Sequence, residues 1–213
     1  MTSKILVISA LLGLLMIAFG TLVYMSGSAK PDAAADRSAL VRMHSPSFGD
    51  PSAKVHIVEF FDPACETCAS FYPFVKKMIA ANPGRIRLSI RYATFHKGSD
   101  QIVRLLEASR KQGKYWETLE ALLAAQSRWT INHTARLDLA WSAINGVGLQ
   151  MQKLKEDMNA PELAGVIKQD LQDAAALNVT KTPEFFVNGK PMPSFGYEQL
   201  RTLVDQALRD SYR

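Results

Sequence analysis

The feature that most constrains this chain is its cysteine usage. Of 213 residues only two are cysteines, and Cys65 and Cys68 stand three positions apart. An apolar, strand-like run from Val55 to Phe61 precedes them, and a helix-like apolar stripe follows. Residues i and i+3 of a helix share a face, so both sulfur atoms can occupy one site. Cys65 would lie at the helix N-terminus, where backbone N–H groups and the helix dipole favour a thiolate and lower the pKa of its thiol.

This spacing predicts an exposed nucleophilic sulfur on Cys65 beside a shielded resolving sulfur on Cys68, the pair that dithiol–disulfide exchange requires. Structural zinc is disfavoured, because such sites usually need four ligands and the four histidines have no ligand spacing. A purely structural disulfide is a second alternative, but a bridge across so short a loop constrains the unfolded chain little. We expect a redox-active Cys65–Cys68 disulfide, no metal and no cofactor.

The N-terminal segment predicts export. Ile5 to Met25 is a nearly unbroken apolar run of 21 residues, long enough to cross a bilayer core of about 30 Å as a helix. We therefore interpret residues 1–29 as a signal-anchor with Lys4 on the cytoplasmic side. Cleavage near the small residues 27–29 is the alternative. In either case the cysteines would work in an oxidising compartment.

The rest of the chain predicts one α/β domain over residues 51–213. Residues 30–50 have the composition of a linker, with a turn at 47–51. Residues 86–92 alternate as a strand does, so the first strand–helix–strand crossover should be parallel. From about 99 to 178 only helical spacing is found, which predicts an inserted subdomain of about five helices.

The C-terminal part of the sequence should complete the sheet. Phe185 to Val187 predicts a short strand, and Asn188-Gly189 is a strong signal for a type I′ hairpin. Ordinary punctuation before the strand is one interpretation of Pro183. We expect a cis peptide bond there instead, which needs a structural reason because trans is preferred. Residues 200–208 predict an amphipathic helix that packs on the sheet. Together the elements predict a mixed central sheet flanked by helices and interrupted by a helical insert.

Three segments together resemble a known family. They are a strand ending in Glu59-Phe60-Phe61, the motif Cys65-Glu66-Thr67-Cys68, and, after the insert, Thr182-Pro183-Glu184-Phe185-Phe186-Val187-Asn188-Gly189. Over about residues 40–210 the chain is similar to the DsbA-type thiol–disulfide oxidoreductases, in particular their membrane-anchored members. The resemblance implies a thioredoxin-like fold and a catalytic domain outside the cytoplasm, at the bacterial inner membrane.

The resemblance also implies roles for individual residues. Cys65 would attack and form the mixed disulfide, and Cys68 would resolve it. Pro183 would be the cis-proline that faces the dithiol, and Thr182 would offer backbone contacts to an extended client peptide. Glu59 matches the family's buried acid beneath the dithiol, where it would assist proton transfer at Cys68. A salt-bridged or partly exposed strand residue is the alternative for Glu59.

The dipeptide between the cysteines departs from the strongly oxidising members, which carry Pro-His. Here it is Glu66-Thr67. A carboxylate next to Cys65 would raise the pKa of that thiol by like-charge repulsion, and Thr67 offers a hydroxyl but no positive charge. We therefore expect a reduction potential between about −120 mV, that of DsbA, and about −270 mV, that of thioredoxin.

The leading functional hypothesis is an enzyme that oxidises cysteine pairs in exported client proteins. The resemblance implies reoxidation by a quinone-linked membrane partner of the DsbB or VKOR kind. A disulfide reductase or isomerase is one alternative. A Cu(I)-handling protein is another, with His96 adding a ligand to the dithiol, although such a histidine is more often a loop residue before a helix capped by Ser99 or Asp100. The 25 basic and 20 acidic residues are interspersed, which argues against nucleic-acid binding.

Overall fold

A computed structural model describes residues 37–213 of the chain. The predicted signal-anchor and the first part of the predicted linker, through residue 36, lie outside the described residues. Among the described residues, no helix has both the length and the apolar character needed to cross a membrane.

The centre of the domain is a mixed sheet. Its strands are β1 (Ser47–Gly49), β2 (Val55–Phe61), β3 (Ile86–Tyr92), β6 (Glu184–Val187) and β7 (Lys190–Pro191). In space they lie in the order β1-β3-β2-β6-β7. Strands β2 and β3 are parallel, from Val55 opposite Ile86 to Phe61 opposite Tyr92, and the other neighbours are antiparallel. The parallel crossover and the closing antiparallel hairpin confirm the predicted sheet.

Helices cover the sheet. They are α1 (Arg37–Leu40), α2 (Glu66–Ala81), α3 (Ser99–Arg110), α4 (Tyr115–Ala124), α5 (Gln126–Trp129), α6 (Leu137–Ala143), α7 (Met151–Met158), α8 (Glu162–Ala176) and α9 (Tyr197–Ser211). Helix α2 connects β2 to β3 and buries the predicted apolar stripe of Cys68, Phe71, Tyr72, Val75 and Ile79. Alternate residues of β2 enter two different apolar clusters, Ile57 in the larger one and Val58 in the smaller one, so this strand is covered on both faces, as its composition predicts.

The described part of the predicted linker is folded, which corrects the interpretation of residues 37–50. Leu40 in α1 is buried in the smaller apolar cluster. Residues 47–49, predicted as part of a turn, form edge strand β1, paired antiparallel with β3. Phe48 packs edge-on against Trp116, with ring centroids 5.4 Å apart. A strand of three residues is too short to show an alternating pattern, and its partners lie far away in the sequence.

The helical insert also differs from its prediction. Between residues 99 and 178 the described chain forms α3 to α8, one helix more than expected, together with a hairpin of β4 (Thr130–Ile131) and β5 (Thr134–Ala135). Asn132 and His133 make its turn with φ of 50° and 56°. The backbone N–H of Ala135 donates to the carbonyl of Lys97 at 2.8 Å. This bond holds the hairpin against the segment that precedes α3.

Candidate dithiol site

Cys65 is the N-cap residue of α2, as its position before the helical stripe predicts. The backbone N–H of Cys68 donates to its Sγ at 3.4 Å. Its Sγ also lies 3.3 Å from the carbonyl oxygen of Thr182, to which the protonated form of the thiol donates. The residue is only 5% exposed, and Cys68 is fully buried. The prediction of an exposed sulfur at Cys65 is therefore wrong, because the loop before β6 lies against it, although Cys65 is still the more accessible of the two.

The two thiols are shifted in opposite directions. A hydrogen bond from the Cys68 side chain is the main cause that lowers the pKa of Cys65 to about 6, and burial opposes this shift. Hydrogen bonds from the Thr182 side chain and from the backbone N–H groups of Cys68 and Thr67 add to the lowering. Burial raises the pKa of the Cys68 thiol well above its ordinary range, as does its hydrogen bond to Cys65. At neutral pH the site therefore holds one thiolate and one thiol. The two cysteines are not joined by a disulfide bond in this structure.

Glu66 is not a main influence on the Cys65 thiol, although its charge predicts one. It is the first residue of α2, its side chain is 58% exposed, and its carboxylate lies 3.6 Å from Nδ1 of His133. The main causes of the lowered pKa of Cys65 are hydrogen bonds, and Glu66 is not among them. Water screens an exposed carboxylate, whereas the N–H groups at the start of α2 point at the sulfur. The neighbouring Thr67 contributes its backbone N–H.

Glu59 lies in β2 and is fully buried. Within the described part of the chain, neither of its carboxylate oxygens has a hydrogen-bond partner. Burial raises its pKa well above the ordinary value, and the negative charge of Cys65 raises it further. These facts exclude the salt-bridged and the partly exposed alternatives for Glu59. Burial therefore favours the protonated form of Glu59, and a negative charge on Glu59 would raise the pKa of Cys68.

The sheet register places the proline loop beside the dithiol. Glu59 of β2 is opposite Phe185 of β6, so the residues just before β6 lie beyond the C-terminal end of β2, where α2 begins. The Thr182–Pro183 peptide bond is cis, as predicted. The predicted type I′ turn is present as well, with φ of 49° at Asn188 and 85° at Gly189.

A buried aspartate that sequence reasoning missed organises the loop before Cys65. Asp62 is fully buried and accepts hydrogen bonds from the backbone N–H of Ala64 at 2.9 Å and of His96 at 2.8 Å. It also accepts from the Ser99 hydroxyl at 2.5 Å and pairs with Nδ1 of His96 at 2.8 Å. The expected capping of α3 by Ser99 or Asp100 is wrong, because Gly98 is the N-cap and makes no side-chain bond. The Asp62-Pro63 dipeptide was the available signal, since Asp before Pro favours a turn.

Two histidines that are far apart in the sequence meet at the edge of this site. The rings of His96 and His133 are 6.1 Å apart between centroids. Together with Glu66, each offers one ligand atom, and the three atoms lie within 4.8 Å of one another. The histidines have no ligand spacing in the sequence, but the fold nevertheless brings two of them together. Hairpin β4–β5, which carries His133 in its turn, had no detectable sequence signal.

Comparisons with known proteins agree with this arrangement. A family model described as thioredoxin matches residues 42–206. A solved thioredoxin-like oxidoreductase from Silicibacter pomeroyi is 32% identical, with a TM-score of 0.71, over 82% of this chain and 99% of the other. Disulfide bond formation protein D of Bacillus subtilis is 26% identical over 176 residues, which cover 77% of each protein.

Several curated relatives are much longer proteins. The Na(+)/H(+) antiporter NhaA 3 of Salinispora tropica is 28% identical over 153 residues, which cover 67% of this chain and 21% of the antiporter. The chain thus spans about a fifth of the length of that relative. The family model covers most of the chain, and the described fold and dithiol match it. The chain belongs to the thioredoxin family.

Proposed function

We propose that this chain is a thiol–disulfide oxidoreductase that forms disulfide bonds in exported proteins through Cys65 and Cys68. The observation that carries the proposal is the environment of Cys65. Its Sγ accepts the N–H of Cys68 at the start of α2 and has a pKa lowered to about 6. It also lies 3.3 Å from the Thr182 carbonyl, in the loop that carries cis-Pro183.

In the first step a client thiolate attacks Sγ of Cys65 in the oxidised protein. A client–Cys65 mixed disulfide forms, and the Cys65–Cys68 bond breaks with its electron pair on the Cys68 sulfur. Because the pKa of Cys68 is raised well above its ordinary value by burial, this leaving sulfur takes up a proton. Glu59, a buried acid with a raised pKa, is the proposed proton donor.

In the second step the other client thiolate attacks the client sulfur of the mixed disulfide. The client disulfide forms, and Cys65 leaves as a thiolate, which is a good leaving group because its pKa is about 6. The client loses two electrons and two protons. The enzyme gains the two electrons and one proton, held as the Cys65 thiolate and the Cys68 thiol. One of the client protons restores Glu59 through solvent, and the second proton stays in solvent.

Two observations bear on the reduction potential and on the direction of electron flow. A Cys65 pKa of about 6 lies between the values of about 3.5 for DsbA and about 7 for thioredoxin, and a more stable thiolate makes the disulfide a stronger oxidant. The Bacillus subtilis relative is named for disulfide bond formation. We propose a reduction potential between those of DsbA and thioredoxin, as the sequence predicts.

The remaining parts of the proposal rest on the sequence. The apolar run from Ile5 to Met25 supports an anchor in the bacterial inner membrane with the described domain on its outer side. Exported cysteine-containing proteins would be the clients, extended along the Thr182 backbone by strand addition. A quinone-linked oxidase of the DsbB or VKOR kind would restore the disulfide.

Trapping of mixed disulfides tests the proposed function. Cys68→Ala removes the resolving sulfur, so clients should accumulate covalently on Cys65, and reductant should release them. The matched control carries Cys65→Ala as well and should capture none.

Alkylation of the wild-type protein directly in cells should show mostly disulfide. A mostly reduced dithiol would instead favour the reductase or isomerase.

A further inference from the structure

The rim of the dithiol site carries a second group of metal-binding side chains. Glu66 follows Cys65 directly, His96 lies in the loop before α3, and His133 lies in the turn of hairpin β4–β5. One ligand atom from each lies within 4.8 Å of the other two. None of the three has a role in the proposed exchange between Cys65 and Cys68.

His96 is held as a metal-binding imidazole usually is. Its Nδ1 is 2.8 Å from the fully buried carboxylate of Asp62, which also accepts the backbone N–H of the same residue. A carboxylate at Nδ1 fixes the proton there and leaves the lone pair on Nε2, and this carboxylate–histidine pairing supports many zinc ligands. The side chain is 22% exposed, so the ring is accessible to a small ion.

The other two side chains can adjust at little cost. The side chains of Glu66 and His133 are 58% and 76% exposed, and their nearest atoms, Oε1 and Nδ1, are 3.6 Å apart. That separation is longer than a hydrogen bond. It is close to the roughly 3.3 Å between neighbouring ligands in a tetrahedral zinc shell with bonds of about 2.0–2.2 Å.

We propose that Glu66, His96 and His133 bind a divalent transition-metal ion of the zinc class at the entrance of the dithiol site. Two imidazoles and one carboxylate, with a fourth position left for water, are a ligand set that zinc uses. Calcium and magnesium prefer oxygen ligands alone and would bind poorly here. The site differs from a Cu(I) site on the cysteines because it needs neither sulfur, and it does not depend on the proposed redox function.

Zinc binding should be measured on the full-length, untagged chain with Cys65 and Cys68 joined as a disulfide, so that no thiolate can bind the ion. Competition with a chromophoric zinc chelator should show one Zn²⁺ per chain. Glu66→Gln and His133→Asn should each weaken binding at least about tenfold, since even the loss of a supporting residue costs 10–100-fold. Asn suits position 133, whose φ is 56°, because it tolerates a left-handed backbone.

Two controls separate the ligands from general effects. Glu117→Gln removes an exposed acid of α4, which pairs with the N-cap residue Lys114 of the same helix, and should leave the zinc affinity unchanged. Asn132→Gly alters the same turn without removing an imidazole and should also bind as the wild type does. Excess Ca²⁺ should not displace Zn²⁺. A wild-type chain that cannot compete with the chelator, or ligand variants with wild-type affinity, would overturn the proposal.

Discussion

Two identical side chains, Cys65 and Cys68, acquire opposite chemical properties from their positions in one helix. Cys65 lies at the N-cap, where N–H groups and the Cys68 thiol stabilise its anion. Cys68 is one turn further in, where burial disfavours an anion. The lowered pKa favours the reduced folded state. This stabilisation is fully present above the ordinary thiol pKa of about 8.5 and is lost as the pH falls toward the folded value.

The first prediction concerns the pH dependence of alkylation. Since the pKa of Cys65 is about 6, its reaction with iodoacetamide should be half-maximal near pH 6 and almost constant between pH 7 and 9. An ordinary thiol would react roughly twentyfold faster at pH 9 than at pH 7. Cys65→Ser leaves only the buried Cys68 and should react very slowly throughout. A midpoint above pH 8 in the wild type would contradict the assigned thiolate.

The second prediction concerns the dipeptide. Glu66→His should make the protein more oxidising, because an imidazole can donate a hydrogen bond to the Cys65 thiolate. Each unit by which the Cys65 pKa falls should raise the potential by about 30 mV. Glu66→Gln should change it little, since the exposed carboxylate is not a main cause of the Cys65 pKa. Equilibration with glutathione in the presence of a chelator measures the reduction potentials of the wild type and of both variants. An unchanged potential in Glu66→His would refute the proposed effect of an imidazole on the Cys65 thiolate.

Among the elements, hairpin β6–β7 shows how a short motif supports the site. Its turn residue Asn188 accepts from the His56 N–H at 2.8 Å through Oδ1 and donates to the Lys54 carbonyl at 3.1 Å through Nδ2. These bonds join the turn to the start of β2, the strand that leads to Cys65. The hairpin thereby holds the loop of cis-Pro183 in register with the dithiol.

The third prediction tests the backbone of this turn. Gly189 has φ of +85°, and a Cβ there would meet no atom within 4 Å. Gly189→Ala should therefore destabilise the protein by about 1–2 kcal/mol, from backbone strain alone. Gly165, inside α8, has equally open space and no positive φ. Gly165→Ala should stabilise by about 0.5–1 kcal/mol. Urea unfolding measures the free energy of unfolding of both variants. Equal changes in the two would show that backbone conformation is not the cause.

At the scale of the whole molecule, a buried ionic network joins the insert to the sheet. Arg91 of β3 is fully buried and donates to Asp170 of α8 at 2.7 Å and to Asp173 at 2.5 Å. Asp170 also accepts the Tyr92 N–H at 2.7 Å. Arg42, in the segment that sequence analysis assigned to a linker, pairs with Asp173 at 2.6 Å. Three parts of the chain are therefore held together by one set of charges.

The fourth prediction concerns the loss of one acidic residue from this network. Asp170→Ala leaves the Arg91 guanidinium buried with fewer acceptors, so the free energy of unfolding should fall by about 3–5 kcal/mol. Asp138→Ala breaks an exposed pair with Arg136 and should change it by less than about 1 kcal/mol. Denaturant unfolding compares the two variants. Similar small changes in both would mean that the buried pairs add little to stability.

The sequence by itself determined the dithiol, strand β2, the stripe of α2 and the type I′ turn. Each of these depends on residues that are neighbours in the chain, through helical spacing, an apolar run or a turn dipeptide. Glu59 was identified through the resemblance to a known family, and the sequence left a salt-bridged or partly exposed residue as the alternative.

Only the tertiary structure decided what surrounds these residues. It buries Cys65 against Thr182, which is 117 positions away in the sequence, and leaves Glu59 with no hydrogen-bond partner in the described chain. It also pairs Asp62 with His96 and brings His133 beside Glu66. Such contacts depend on the register of strands and the packing of the insert, and short strands such as β1 and β4 carry too few residues for a periodic pattern to reveal them.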